Sequence, residues 1–152
     1  MPRARIQAIE IDLTVKTKAD GEEKMRLLKK NADEISMSLD EIDAEMDEVS
    51  RAADEEDEDE ASDEEDEDVE DKVARHKAKW QKRMNKYRKY ADKGKIEKLQ
   101  KANAKQNAKL QKAKDNGKPE AYIAYKQAKC DFTQSLMKTA QLVNNLQKAG
   151  LA

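Results

Sequence analysis

Few side chains in this sequence have the chemistry of a reaction centre. One cysteine, Cys130, and one histidine, His76, are its whole supply of thiol and imidazole. A Cys–His dyad needs a third group to orient the imidazole and donors for an oxyanion. No glycine loop, nucleophile elbow or metal-ligand spacing stands near either residue. A lone cysteine excludes an internal disulfide and, with one histidine, a cysteine-based zinc site. Cys130 reads as a small packed apolar residue. The expectation is a non-enzymatic protein with no catalytic residue, no cofactor, no metal and no small-molecule substrate.

The carboxylates are the next candidates. Within Asp54–Asp71, 15 of 18 residues are Asp or Glu. A calcium loop starting at Asp57 would place Ala61 at a ligand position, Ser62 where the sharp turn needs glycine, and Asp68 where a bidentate Glu belongs. Like charges this dense oppose a packed helix, so the run reads as a disordered acidic linker. Two functional alternatives remain: an acidic tail that mimics nucleic acid, and a phosphorylation site at Ser62.

The cations lie just beyond. Residues 72–118 hold 15 lysines, three arginines and only three acidic residues, whereas residues 1–71 hold 28 acidic and nine basic ones. Blocks this polarised seek opposite charge, within the molecule or on another. Arg75, Lys79, Trp80, Arg83, Tyr87 and Arg88 interleave cations with aromatics, the composition that grips phosphates and stacks bases. In the plainer alternative Trp80, Tyr87 and Tyr90, spaced by seven and three, fill a narrow helical face while the lysines solvate the rest. Lysine lacks the bidentate fork of arginine, so nucleic acid ranks behind a protein partner.

These groups need elements to position them. Hydrophobic residues make up 37% of the 152-residue chain and charged residues 42%, which points to long helices with narrow apolar stripes. Met25, Leu28, Ala32, Ile35, Leu39, Ile42, Met46, Val49 and Ala53 alternate steps of three and four, a heptad seam. Asp20 is the expected cap of this helix, with Glu23 completing a capping box. Tyr125, Ala128, Phe132, Leu136, Ala140, Val143 and Leu146 form a second stripe, in a helix opened by Pro119 and stopped by Gly150. Antiparallel pairing of 21–53 with 119–149 buries both, while packing of the same seams between molecules is the equal alternative. Between them, Ile96, Leu99, Asn103, Gln106, Leu110 and Ala113 make a weak register whose polar members predict an exposed helix. Near the start, Ile9, Ile11, Leu13 and Val15 alternate with polar residues. The alternation fits a strand added to a partner's or second copy's sheet, an extended ordered arm, or a helical lead-in.

The expected fold is all-α: long coiled-coil-like helices, as a helical hairpin or bundle, with a disordered acidic linker and a short N-terminal extended segment. The units are 1–19, an arm and candidate strand; 20–53, the heptad helix; 54–71, the acidic linker; 72–116, a basic helical segment broken near 94; and 119–149, a C-terminal amphipathic helix. The helix-packing interface is expected at Met25, Leu28, Ile35, Leu39, Ile42, Met46, Val49, Tyr125, Phe132, Leu136, Val143 and Leu146. No run approaches the ~20 apolar residues of a membrane span, and no signal peptide is apparent. A cytoplasmic or virion-associated protein is expected, with signal-independent export also open. The leading function is structural: a homo-oligomer or a complex with a helical protein partner, as in filament subunits, virion or capsid scaffolds and secretion-apparatus components. The alternative is an electrostatic nucleic-acid-binding or chaperone-like protein using 72–118, gated by 54–71.

Overall fold

The computed structural model describes residues 6–47, 49–50 and 69–151, with side chains from residue 77 onward in the last span. Four long helices dominate: α1 (Lys18–Glu45), α2 (Val69–Asp92), α3 (Ile96–Asp115) and α4 (Glu120–Lys148). Among the described residues there is no strand. The acidic linker lies outside the described residues as far as Asp68, together with Ser62 and the candidate calcium loop. Its last three residues, Val69–Asp71, belong to α2.

The helices start and stop where local chemistry allows. Thr17, not Asp20, caps α1: its Oγ1 accepts the Asp20 N–H at 3.0 Å. The cap thus lies three residues earlier than expected, the Asp20 carboxylate accepts the Lys16 N–H at 3.4 Å, and Glu23 pairs with Arg26 at 2.6 Å. α1 ends at Glu45, before the seam does. Met46 is still buried, but Val49 is exposed, and Ala53 lies outside the described residues. Gly94, at φ +69°, reverses the chain between α2 and α3, with the Lys95 N–H returning to the Tyr90 carbonyl at 2.9 Å. Asn116–Gly117 ends α3, and Gly150, at φ +71°, ends α4.

α4 is the centre of the bundle; α1, α2 and α3 all pack against it. α1 runs antiparallel to it, as expected. The Asn31 side chain meets Ser135 at 2.9 Å, and a Cβ on Gly21 would lie 2.5 Å from Leu146. Leu28, Ala32, Ile35 and Leu39 are buried on this flank, each large side chain contributing about 1.5–3 kcal/mol. α2 packs on the next face, where the Trp80 ring meets Phe132 edge-on at 6.4 Å. α3 takes the far flank. Its contact points on α4, Cys130 and Thr133, lie roughly 150° around the helix from Ser135 at 3.6 residues per turn.

The expectation of an exposed α3 is overturned. Leu99, Asn103, Gln106, Leu110 and Ala113 are all buried. Asn103 Nδ2 donates to Thr133 Oγ1 at 2.9 Å and to the Cys130 carbonyl at 3.2 Å. A polar residue sits well in a core when the facing helix offers the matching groups, and α4 supplies them.

Candidate interaction surfaces

Both apolar stripes are used within the chain. Of the expected packing residues, Leu28, Ile35, Leu39, Met46, Tyr125, Phe132 and Leu136 are buried. Met25, Ile42, Val143 and Leu146 are half-buried, and Val49 is exposed. The structure brings the two seams together inside one molecule.

The basic middle is arranged differently from a base-stacking platform. Trp80 is 7% exposed and packs against Phe132 and Tyr87. Arg88 lies over the Phe132 ring at 5.4 Å and pairs with Asp33 of α1 at 2.9 Å. Lys79, Arg83 and Tyr87 are half-buried, and the Arg75 and His76 side chains are outside the described ones. The Trp80 Nε1 hydrogen is buried with no acceptor among the described residues. Beside it sits a feature the sequence did not signal. Lys129 of α4 is buried, its ammonium 4.6 Å from the Trp80 ring and 4.4 Å from the Tyr125 ring. Lys126, only 1% exposed, faces Tyr122 at 5.3 Å. Aromatic faces stabilise a desolvated cation. Both lysines sit inside a stripe that reads as an apolar face with occasional solvated charges, so nothing in the spacing marks them as buried.

The arm is the second surprise. Residues 6–15 are extended, double back at Lys16–Thr17 and lie along the groove between α1 and α4. Ile9, Ile11, Leu13 and Val15 are half-buried while Glu10, Asp12, Thr14 and Lys16 are exposed. The period of two is therefore that of an ordered arm whose partner is a pair of helices. Side chains stand in for the missing strand. Asn31, 4% exposed, accepts the Ile9 N–H at 3.2 Å and donates to the Gln7 carbonyl at 2.9 Å, so one amide satisfies both a donor and an acceptor of the same stretch of main chain. Lys138 Nζ donates to the Ile9 carbonyl at 2.6 Å, Asn145 Nδ2 to the Leu13 carbonyl at 2.8 Å, and Lys24 Nζ to the Thr14 carbonyl at 2.6 Å. Ser135 Oγ donates to Asn31 Oδ1 and fixes the amide's orientation. Gly21 makes room where the arm meets α1 and α4: a Cβ there would also come within 3.2 Å of Val15. Glycine inside a helix costs about 1 kcal/mol, and close approach is what that cost permits here. On the arm's outer side, the Thr14 N–H holds the Asp12 carboxyl below its ordinary range.

The outer faces carry opposite signs. From Asp33 to Glu45, α1 has six acidic residues and no basic one. Glu34, Asp40 and Glu41 are exposed around Met37, a large apolar side chain 64% exposed. On the other flank, α3 has six lysines against two acidic residues. Lys98, Lys101, Lys105 and Lys112 are exposed along it, with Ala104 and Ala108 open between them. α2 bridges the two, and its Lys77 and Arg88 reach Asp43 and Asp33 of α1. Where α2 meets α3, Tyr90 lies beneath the Lys86 and Lys98 ammoniums at 5.7 and 4.9 Å. A hydrogen bond from Lys86, with the charges of Lys98 and Lys95 behind it, lowers the phenol's pKa from its ordinary 10.0.

Among the described residues no group of His, Cys, Asp and Glu side chains converges to hold a metal ion, and no helix is long and apolar enough to cross a membrane. No family model matches the chain, and no curated protein or solved structure shows significant similarity to it.

Proposed function

We propose that the protein is a non-enzymatic assembly subunit whose copies join side by side, the acidic outer face of α1 on one copy meeting the lysine face of α3 on the next. The observation that carries this reading is the opposite sign of those two faces on the two flanks of α4. The seams that could have joined molecules as a coiled coil already form the chain's own core, so association falls to the outer faces. Contact between two different faces is head-to-tail, and it builds a ring or an open filament. Met37, ringed by carboxylates, faces the complementary chemistry of Ala104 and Ala108 ringed by lysines. Charge guides the encounter and the register; the methionine supplies apolar area at its centre.

Sedimentation equilibrium at low and high salt tests the reading. Association should be present at low salt and fall steeply as salt screens the contact. Lys101→Glu with Lys105→Glu should abolish it. A second chain carrying Glu34→Lys with Asp40→Lys should restore association when mixed with the first. A strict monomer at tens of micromolar and low salt removes the proposal.

The lysine row favours one further reading. Lys98, Lys101, Lys105 and Lys112 along one helical face also suit a phosphate backbone, so nucleic acid is the competing ligand. Fluorescence anisotropy with duplex DNA and with RNA separates the two. Binding whose logarithm falls linearly with log salt, and which is lost in the same double Lys→Glu chain, marks the nucleic-acid reading.

A further inference from the structure

Where α1 and α2 lie side by side on α4 they leave a cavity of about 160 Å³ with an open mouth. Its floor is buried and mostly apolar: Ala32 of α1, Ala91 of α2, and Leu136 and Thr139 of α4. Each flanking helix contributes an alanine, and these short side chains leave the space unfilled. The Thr139 hydroxyl donates to the Ser135 carbonyl at 3.2 Å, so it needs no further acceptor. The mouth is charged. Lys29 and Asp33 stand one turn apart on α1, and Arg88 and Asp92 one turn apart on α2. Across the gap Arg88 pairs with Asp33 at 2.9 Å and Lys29 with Asp92 at 3.8 Å. The sign therefore alternates round the rim: Lys29, Asp92, Arg88, Asp33. The side chains of Lys29, Asp33 and Asp92 are more than half exposed, and pairs so exposed open readily. Arg88 is the fixed member, laid over the Phe132 ring at 5.4 Å, and its guanidinium has more N–H groups than the Asp33 bond uses.

We propose that this cavity binds a free α-amino acid with an apolar side chain of about leucine's size. The proposal goes beyond the assembly reading and does not rest on it. A rim with two charges of each sign in alternation suits neither a simple anion nor a simple cation, since each would lie beside like charge. A zwitterion meets both signs at once. Its carboxylate accepts from the Arg88 guanidinium, whose planar fork matches it. Its ammonium donates to Asp33 and Asp92, the carboxylates on either side of Arg88 in the rim. The α-carbon joins both groups to a third substituent, and that side chain enters the space over Ala32, Ala91 and Leu136, where apolar area is lost to water. The volume is close to the ~150 Å³ of an engineered apolar cavity that takes up benzene, which leaves room for a branched aliphatic side chain. Such a ligand clasps α1 to α2 at a point that exposed ion pairs bridge in its absence.

Methyl NMR of the full chain titrated with L-leucine tests this, with the Ala32, Ala91 and Leu136 methyl signals as reporters. All three should move saturably. Two analogues carry the test of charge: 4-methylpentanoate lacks the ammonium and isopentylamine lacks the carboxylate. Each should bind about tenfold or more weakly than leucine. Asp33→Asn with Asp92→Asn alters two exposed side chains, and should weaken leucine severalfold while leaving 4-methylpentanoate unchanged or tighter. Ala91→Leu fills the cavity and should abolish the shifts of Ala32 and Leu136 with helical circular dichroism retained. No saturable shift with leucine up to its solubility overturns the site. Shifts of Ala32 and Leu136 that persist in a folded Ala91→Leu chain put the ligand elsewhere and overturn it too. Equal binding of leucine and 4-methylpentanoate overturns the zwitterion. Where Ala91→Leu does not fold, the aspartate pair decides alone, and an unchanged leucine affinity there overturns the proposal.

Discussion

α1 and α3 flank the same central helix and are held to it by different chemistry. The α1 flank is an aliphatic seam, Leu28, Ile35 and Leu39, beside which the buried amide of Asn31 faces both the arm and Ser135. The α3 flank alternates Leu99 and Leu110 with Asn103 and Gln106, and its central contact is a hydrogen bond to Thr133. Apolar area tolerates small shifts of one helix along another, because burial has no direction. An amide bonded to one hydroxyl and one carbonyl does not tolerate them. The first flank holds by undirected apolar burial, and the second adds a directed contact that fixes the register of α3 on α4.

Substitutions can break or sharpen that contrast. Leu39→Asp, an unpaired carboxylate at a position 2% exposed, should cost on the order of 5 kcal/mol and unfold the chain, as read by loss of helical circular dichroism. Asn31→Leu should cost about 2–3 kcal/mol in urea unfolding, because the Ile9 N–H, the Gln7 carbonyl and the Ser135 hydroxyl lose their partner together. It should also release the arm, so that the Ile9 amide exchanges with solvent far faster. Asn103→Leu on the opposite flank should cost about 1 kcal/mol or less, since Thr133 keeps the Lys129 and Cys130 carbonyls. Its signature should be structural: amide shifts spread along α3 as its register loosens. Equal costs for Asn31→Leu and Asn103→Leu would erase the distinction between the flanks. Thr17→Ala should remove about 1 kcal/mol through the lost cap.

The smallest effect is electrostatic and belongs to the α2–α3 side. The Tyr90 pKa is lowered in the folded state, so its contribution to stability is absent at neutral pH and develops as pH rises through the folded value toward 10.0. Lys86→Gln should move the earliest step of the ultraviolet phenolate titration upward. An unchanged titration would show that the cations over the ring do not act on the hydroxyl.

The same contrast explains what the sequence made legible. The α1 and α4 stripes are read easily because their members are all apolar and recur at steps of three or four, strictly alternating in α1. α3 was misread because Asn103 and Gln106 count as interruptions in any hydrophobic pattern, and the satisfaction of Asn103 depends on Thr133 and Cys130, about 30 residues downstream. The alternation of the arm was visible at Ile9–Val15. Its partner was not, since a strand's usual neighbour is another strand and here it is a row of long polar side chains on two helices. Buried Lys126 and Lys129 were invisible for a related reason: a lysine becomes an interior residue only through the rings folded over it. The charge blocks were plain, yet the fact that they end on opposite flanks of α4 is a property of the bundle alone.

The central place of α4 also bears on how the chain is made. α1, α2 and α3 come off the ribosome first, each with an apolar stripe and none with a large surface of its own kind to close upon. Their common partner, α4, is translated after all three. Until Glu120–Lys148 has cleared the exit tunnel, the emerging polypeptide has no finished core to collapse onto, and its greasy residues stay open to chaperones and proteases. Folding is then a single event that waits for α4 to emerge, and a message cut short before α4 would yield a chain fit only for degradation.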